Sequence, residues 1–190
     1  MNRRELLAAL IPLTLGSGIR NSQTANGHPP SAIVFDAYGT LFDVHSVAAL
    51  ASELFPAQGE ALSQRWRAKQ LEYSWTLSLM GRYEDFWSVT DRALTFACHA
   101  LKLSCGTNEH QRLMDGYLRL SMFPDAAVGL KQLSGRTLAI LSNGSPKMLA
   151  AVVSSAGLTG VFKQVVSVDA IRVYKPNPRV YQLASRRFAC

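Results

Sequence analysis

The chain has 190 residues, 48% hydrophobic and 17% charged, which excludes disordered and fibrous classes and is enough for one substantial core or a core plus a small second unit. Its formal charge of +7 comes from Lys and Arg scattered along the sequence rather than gathered into a stripe, so no nucleic-acid partner is indicated and the diffuse field favours small anions such as carboxylates. The three cysteines, Cys98, Cys105 and Cys190, form no C-x-x-C pair and leave an odd thiol, which argues against a disulfide framework or a zinc site and for buried or incidental thiols.

In chain order, residues 1–27 read as a targeting segment: two arginines, Arg3 and Arg4, precede an apolar stretch too short to span a bilayer. "NRRELL" resembles a twin-arginine export signal, which implies a periplasmic location; the alternatives are a cytoplasmic protein with a short amphipathic N-terminal helix or a mis-chosen start codon. A Gly/Pro/Asn-rich linker (21–30) follows, and the fold starts near Ser31. Ala32 to Phe35 is an unbroken apolar run, as for a parallel strand buried on both faces, and "TLAILSN" (137–143) and "QVVSVD" (164–169) repeat the pattern. Between these two, Ser145 reads as an N-cap, Pro146 as the first helical residue and Gly157 as the stop. A helix near Pro124 to Gly135, with Asp125 as its cap, completes the alternation expected of a parallel sheet covered by helices. The middle holds no convincing strand. There Leu62, Trp66, Gln70, Tyr73, Leu77 and Met80, and then Phe86, Val89, Ala93, Phe96 and Ala100, recur at helical spacing. The expected division is residues 28–43 and 124–190 as an α/β core with 44–123 as an inserted helical unit, placed over the carboxyl ends of the strands where open α/β sheets bind ligands.

The candidate chemistry starts at Asp36, a carboxylate at the end of the first strand with Gly39 and Thr40 in a turn after it. On its own such an aspartate is better explained as a turn cap. Ser142 and Asn143 end the second strand beside it and precede a helix N-terminus that favours anions, and Lys175 stands on a loop stiffened by Pro176 and Pro178.

Together, "DAYGTLFD", "LSNG", "YKPNPRVY" and the helical run "WRAKQLEYSWTLSLMGRYEDFW" resemble the haloacid dehalogenase superfamily, and within it the 2-haloacid dehalogenases. The resemblance implies an α/β, Rossmann-like parallel-sheet core with an inserted helical cap, and hydrolysis of short 2-haloalkanoic acids to 2-hydroxy acids through an ester on Asp36. It further implies that Arg67 receives the halide, Ser142 holds the substrate carboxylate, Asn143 orients Asp36 or the substrate, and Thr40 and Lys175 support the nucleophile with Tyr181 as companion. Tyr38, Leu71 and Phe86 would line the pocket, and Ala68 would stand where relatives carry a longer polar group. Phosphatases of the superfamily carry a second aspartate, a general acid for an alkoxide, where this chain has Tyr38. A phenol titrating near 10 is poorly matched to that task, whereas a halide leaves as a weak base and needs no proton. The resemblance implies (S)-enantiomers as substrates, no cofactor and no metal, no stable membrane span, and leaves room for a homodimer.

The chain stops at Cys190, within the helix begun near Pro178, where relatives continue into a strand bearing Ser-x-Asn-x-x-Asp, so a truncated sequence is expected. Two readings compete with the dehalogenase: a Mg²⁺-dependent phosphatase of the same superfamily, against which Tyr38 and an incomplete acidic pair argue, and an inactive remnant that binds small anions or a partner through its cap.

Overall fold

The computed structural model describes residues 32–188. The segment read as a targeting signal lies outside the described residues, as does Cys190. Three parallel strands form the sheet: β1 (Ile33–Phe35), β2 (Leu138–Ser142) and β3 (Gln164–Ser167), in the order β1-β2-β3. Ile33 pairs with Leu138 and Ser142 with Ser167, so the carboxyl ends of all three strands meet on one side. All five residues of β2 are buried, which is why its sequence is an unbroken apolar run. The outer strands each leave one valine exposed, Val34 and Val165.

Four helices lie between β1 and the return to the sheet: α1 (Ala48–Leu54), α2 (Gly59–Leu79), α3 (Phe86–Ala100) and α4 (Thr107–Tyr117). Three more flank the core: α5 (Pro124–Gln132), α6 (Pro146–Ser155) and α7 (Pro178–Phe188). The first group is the inserted helical cap. Helix α2 buries Leu62, Trp66, Gln70 and Leu77 against α3, whose buried face is Phe86, Val89, Thr90, Ala93 and Ala97. Burying Leu62, Phe86 and Leu94 contributes about 1.5–3 kcal/mol each. The seam needs a glycine at its start. A Cβ on Gly59 would fall 2.2 Å from the Ser52 amide nitrogen, so any larger residue would push α1 and α2 apart.

Local signals set the helix ends. The Asp85 carboxylate accepts hydrogen bonds from the Trp87 and Ser88 amides and starts α3. Ser145 caps α6 through the Met148 amide, Pro146 fills its first position, and Gly157 turns the chain out with φ +69°. At three places the structure corrects the sequence pattern. Asp125 sits inside the first turn of α5 and Phe123 occupies the cap position, because Pro124 takes the first helical place. Met80 lies beyond the end of α2 and is 53% exposed, so the buried stripe ends at Leu77, while Phe96 and Ala100 sit at the outer edge of α3 and Ala97 takes the inner place. Strand β3 stops at Ser167, whose hydroxyl accepts from the Asp169 amide and opens a single 3-10 turn, Val168–Ala170.

Cap and core are tied by two phenols. The Tyr83 hydroxyl donates to the Asp169 carboxylate (2.6 Å) and the Tyr174 hydroxyl to the Glu84 carbonyl (2.5 Å). Cys98 is buried and Cys105 half-buried, both free; burial, then a hydrogen bond with the Cys105 thiol, pushes the Cys98 thiol up to about 12. Among the described residues no helix is long and apolar enough to cross a membrane.

Candidate active site

Strand β1 ends at Phe35, and the next residue, Asp36, carries its carboxylate past the sheet edge into a cavity of about 550 Å³ between core and cap. The turn after it is held by Ala37, whose carbonyl accepts from the Thr40, Leu41 and Phe42 amides. One Asp36 oxygen, Oδ1, accepts from the Ala37 amide (2.9 Å) and from Lys175 Nζ (3.0 Å). Lys175 Nζ also donates to the Leu141 carbonyl (2.6 Å), and its backbone amide donates to Asn143 Oδ1 (3.0 Å). The loop lysine is thereby pinned at both ends, its ammonium to the ends of β1 and β2 and its backbone to Asn143. The Lys175-Pro176 bond is cis.

The second strand end is built as tightly. Ser142 Oγ accepts from the Gly144 amide (3.2 Å), and the Ser167 hydroxyl donates to the Gly144 carbonyl (2.6 Å), locking the turn that leads into α6. A Cβ on Gly144 would lie 2.6 Å from Cε2 of Tyr38, so the glycine is what admits the tyrosine ring to the cavity wall.

The opposite wall belongs to the cap. Arg67 Nη1 donates to Gln70 Oε1 (2.6 Å), which also accepts from the Tyr117 hydroxyl (3.0 Å). Gln70 Nε2 in turn donates to Thr90 Oγ1 (2.6 Å), and Thr90 donates to the Phe86 carbonyl (2.6 Å). Gln70 and Thr90 are fully buried, so Arg67 is anchored through a neutral carboxamide that leaves its charge uncompensated and available to an anion in the cavity. Burial pushes the Tyr117 phenol up, with Arg67 drawing it back, so Tyr117 stays a neutral donor.

The cavity is lined by Asp36, Tyr38, Ser142, Asn143 and Lys175 from the core. Arg67, Leu71 and Phe86 line it from the cap. Eight of the residues singled out in the sequence therefore share one space. Three others do not line it. Thr40 sits half-buried in the turn after Asp36. Tyr181 lies on α7, 51% exposed, because Val180 takes the buried position and its neighbour is turned about a quarter of the way round the helix. Ala68 is likewise one step round α2 from Arg67 and lies on the outer surface with Lys69 and Glu72. Sequence reasoning missed Gln70 as the partner of Arg67, Thr90 and Tyr117 as the partners of Gln70, and Trp75, Ser78 and Leu79 as cavity wall. A signal was present for both groups: Gln70 is a carboxamide three residues from Arg67 on an apolar stripe, and Arg67, Leu71, Trp75 and Leu79 recur at intervals of four. A second cavity of about 640 Å³ flanks β3 and α6; Leu149, Val153, Val165 and Val166 line it together with Gln164, Ser167, Asp169 and Arg187, and none of the residues singled out in the sequence for chemistry reaches it.

The family model of the haloacid dehalogenase-like hydrolases matches residues 30–189. The chain belongs to the haloacid dehalogenase-like hydrolase family. Its relatives in the family include the (S)-2-haloacid dehalogenase of Xanthobacter autotrophicus, 52% identical over 152 residues, and that of Pseudomonas sp. (strain YL), 50% identical over 156 residues. These alignments take in 80% and 81% of this chain. The chain spans 60% of the length of the first relative and 67% of the second. The solved L-2-haloacid dehalogenase of X. autotrophicus superimposes with a TM-score of 0.79 at 50% identity, over 84% of this chain and 65% of that one. A second structure of that protein, with chloropropionic acid covalently bound, matches with the same TM-score at 49% identity, over the same shares of the two chains. Among the described residues no group of three or more His, Cys, Asp or Glu side chains is placed to hold a metal. Two residues after Asp36, where the competing phosphatase reading expects a carboxylate, the chain carries Tyr38.

Proposed function

We propose that this chain hydrolyses short 2-haloalkanoic acids to 2-hydroxy acids, acting on (S)-enantiomers. The observation that carries the reading is the pairing across one cavity of an Asp36 carboxylate, bonded to Lys175, with an Arg67 guanidinium that has no acidic partner among the described residues, separated by the apolar surfaces of Tyr38, Leu71 and Phe86. A nucleophile on one side, an anion receptor on the other and a dry wall between them suit displacement of an anionic leaving group from carbon.

In the proposed first step an Asp36 oxygen attacks the halogen-bearing carbon from the side opposite the halogen. A C–O bond forms, the C–halogen bond breaks, and the halide leaves with the bonding electron pair toward Arg67, inverting the carbon. Lys175 offsets the charge that builds and collapses at Asp36, and Ser142 with the amides at the start of α6 receives the substrate carboxylate. In the second step water attacks the ester carbonyl of Asp36, the 2-hydroxy acid departs, and the net proton passes to solvent. Tyr38 disfavours phosphoryl transfer here, since it supplies no carboxylic acid to protonate an alkoxide.

The test is halide release from (S)- and (R)-2-chloropropionate by the purified chain in the presence of EDTA, beside Asp36→Asn. Release from the (S)-form alone that disappears in the variant is the expected result. Absence of release from folded wild-type chain, or release that survives Asp36→Asn, would overturn the reading.

A further inference from the structure

Tyr38 is 6% exposed and held on three sides. Its ring stacks on Tyr117 (centroids 5.9 Å apart, planes 24° apart), tilts against Phe86 (6.3 Å) and fills the space left by the missing side chain of Gly144. The neighbouring buried or half-buried phenols all have acceptors: Tyr117 donates to Gln70, Tyr83 to Asp169 and Tyr174 to the Glu84 carbonyl. The Tyr38 oxygen is buried with no partner among the described residues, while the residue lines the cavity. A buried hydroxyl left without an acceptor destabilises the fold, so a ring clamped in this position points to an acceptor that arrives from the cavity.

Two anionic groups enter the cavity in the proposed reaction, the substrate carboxylate and the halide. Burial pushes the Tyr38 phenol up, Tyr117 adds to this, and Arg67 draws it back more strongly than Asp36 raises it. The phenol therefore keeps its proton and can only donate to an anion. Its ring rests on Phe86 and on Tyr117, whose hydroxyl shares the Gln70 oxygen that anchors Arg67, while the ring edge meets Gly144 in the turn from Ser142 to α6. We propose that the Tyr38 hydroxyl donates a hydrogen bond to the departing halide, forming with Arg67 a two-donor halide site. This rests on the dehalogenase reading and gives Tyr38 a second part besides that of an apolar wall. No proton is transferred: the halide leaves with its electron pair and is held as an anion by one O–H and one guanidinium.

The test is Tyr38→Phe, which keeps the ring and removes only the oxygen. Chloride binding is titrated by ³⁵Cl line broadening without substrate, and kcat/KM is measured with fluoro-, chloro- and bromo-substituted forms of one 2-haloacid. Chloride affinity is expected to fall about tenfold, and kcat/KM by about 10- to 100-fold for fluoride, less for chloride and least for bromide, following their strength as hydrogen-bond acceptors. Unchanged chloride affinity, or an equal loss for all three halogens, would overturn the proposal, because a wall or a carboxylate contact is indifferent to the halogen. If wild-type chain releases no halide from 2-haloacids the dehalogenase reading fails, while the chloride titration still decides the hydroxyl's part.

Discussion

The two walls of the cavity solve the same problem in different ways. On the core wall, Asp36, Ser142 and Asn143 stand at strand ends and Lys175 on a loop, and each is fixed by backbone groups next to the sheet: the Ala37 and Gly144 amides, the Leu141 carbonyl and the Lys175 amide. On the cap wall, Arg67 is fixed by side chains alone, through Gln70 to Thr90 and Tyr117 on two further helices. Sheet register sets the geometry of the proposed nucleophile; packing of α2 on α3 and α4 sets that of the proposed anion receptor. The core wall should thus tolerate loosening of the cap, and the cap wall should be sensitive to any change in helix packing.

The largest expected effect is on the core wall. Asp36→Asn removes the proposed nucleophile and should lower halide release by about 10³-fold or more while leaving the melting temperature nearly unchanged, which steady-state assays and thermal unfolding together would show. Next comes the packing of the cap. Trp66 is buried and its indole N–H donates to the Thr90 carbonyl (2.8 Å), so Trp66→Ala should cost about 3–5 kcal/mol in urea unfolding and disorder the Arg67 anchor with it. A smaller, more selective effect is expected at Gln70. Gln70→Glu keeps the shape but pairs the guanidinium with a carboxylate, and should weaken chloride binding by about 10-fold or more with little change in fold, whereas Arg67→Lys should not restore it. Equal chloride affinity in Gln70→Glu and wild type would show that Arg67 does not depend on this anchor. The smallest effect is at the seam: Tyr83→Phe removes the bond to Asp169 and should cost about 1 kcal/mol, read as a lower urea midpoint.

What could be read from the sequence follows the same division. The core wall was legible because continuous apolar runs mark buried parallel strands and the polar residues ending them must emerge at one edge; Asp36, Ser142 and Asn143 meet there as that logic requires. Lys175 comes from a distant loop, and only its likeness to a family motif brought it in. On the cap wall the helices were legible from periodicity, but direction around a helix was not. Ala68 and Tyr181 each neighbour a residue that faces inward, and a single step of about 100° turns them out. Gln70 was visible as a member of the buried stripe, yet its bond to Arg67 depends on where α3 and α4 place Thr90 and Tyr117, and that is a property of packing.

Whether Asp36 itself attacks carbon is decided by a single turnover in H₂¹⁸O. With protein in excess over (S)-2-chloropropionate, unlabelled 2-hydroxypropionate is expected, with ¹⁸O in the peptide that contains Asp36, because the product takes its new oxygen from the carboxylate and water refills it. Label in the product and none in that peptide would rule out attack by Asp36, since water would then be the attacking nucleophile.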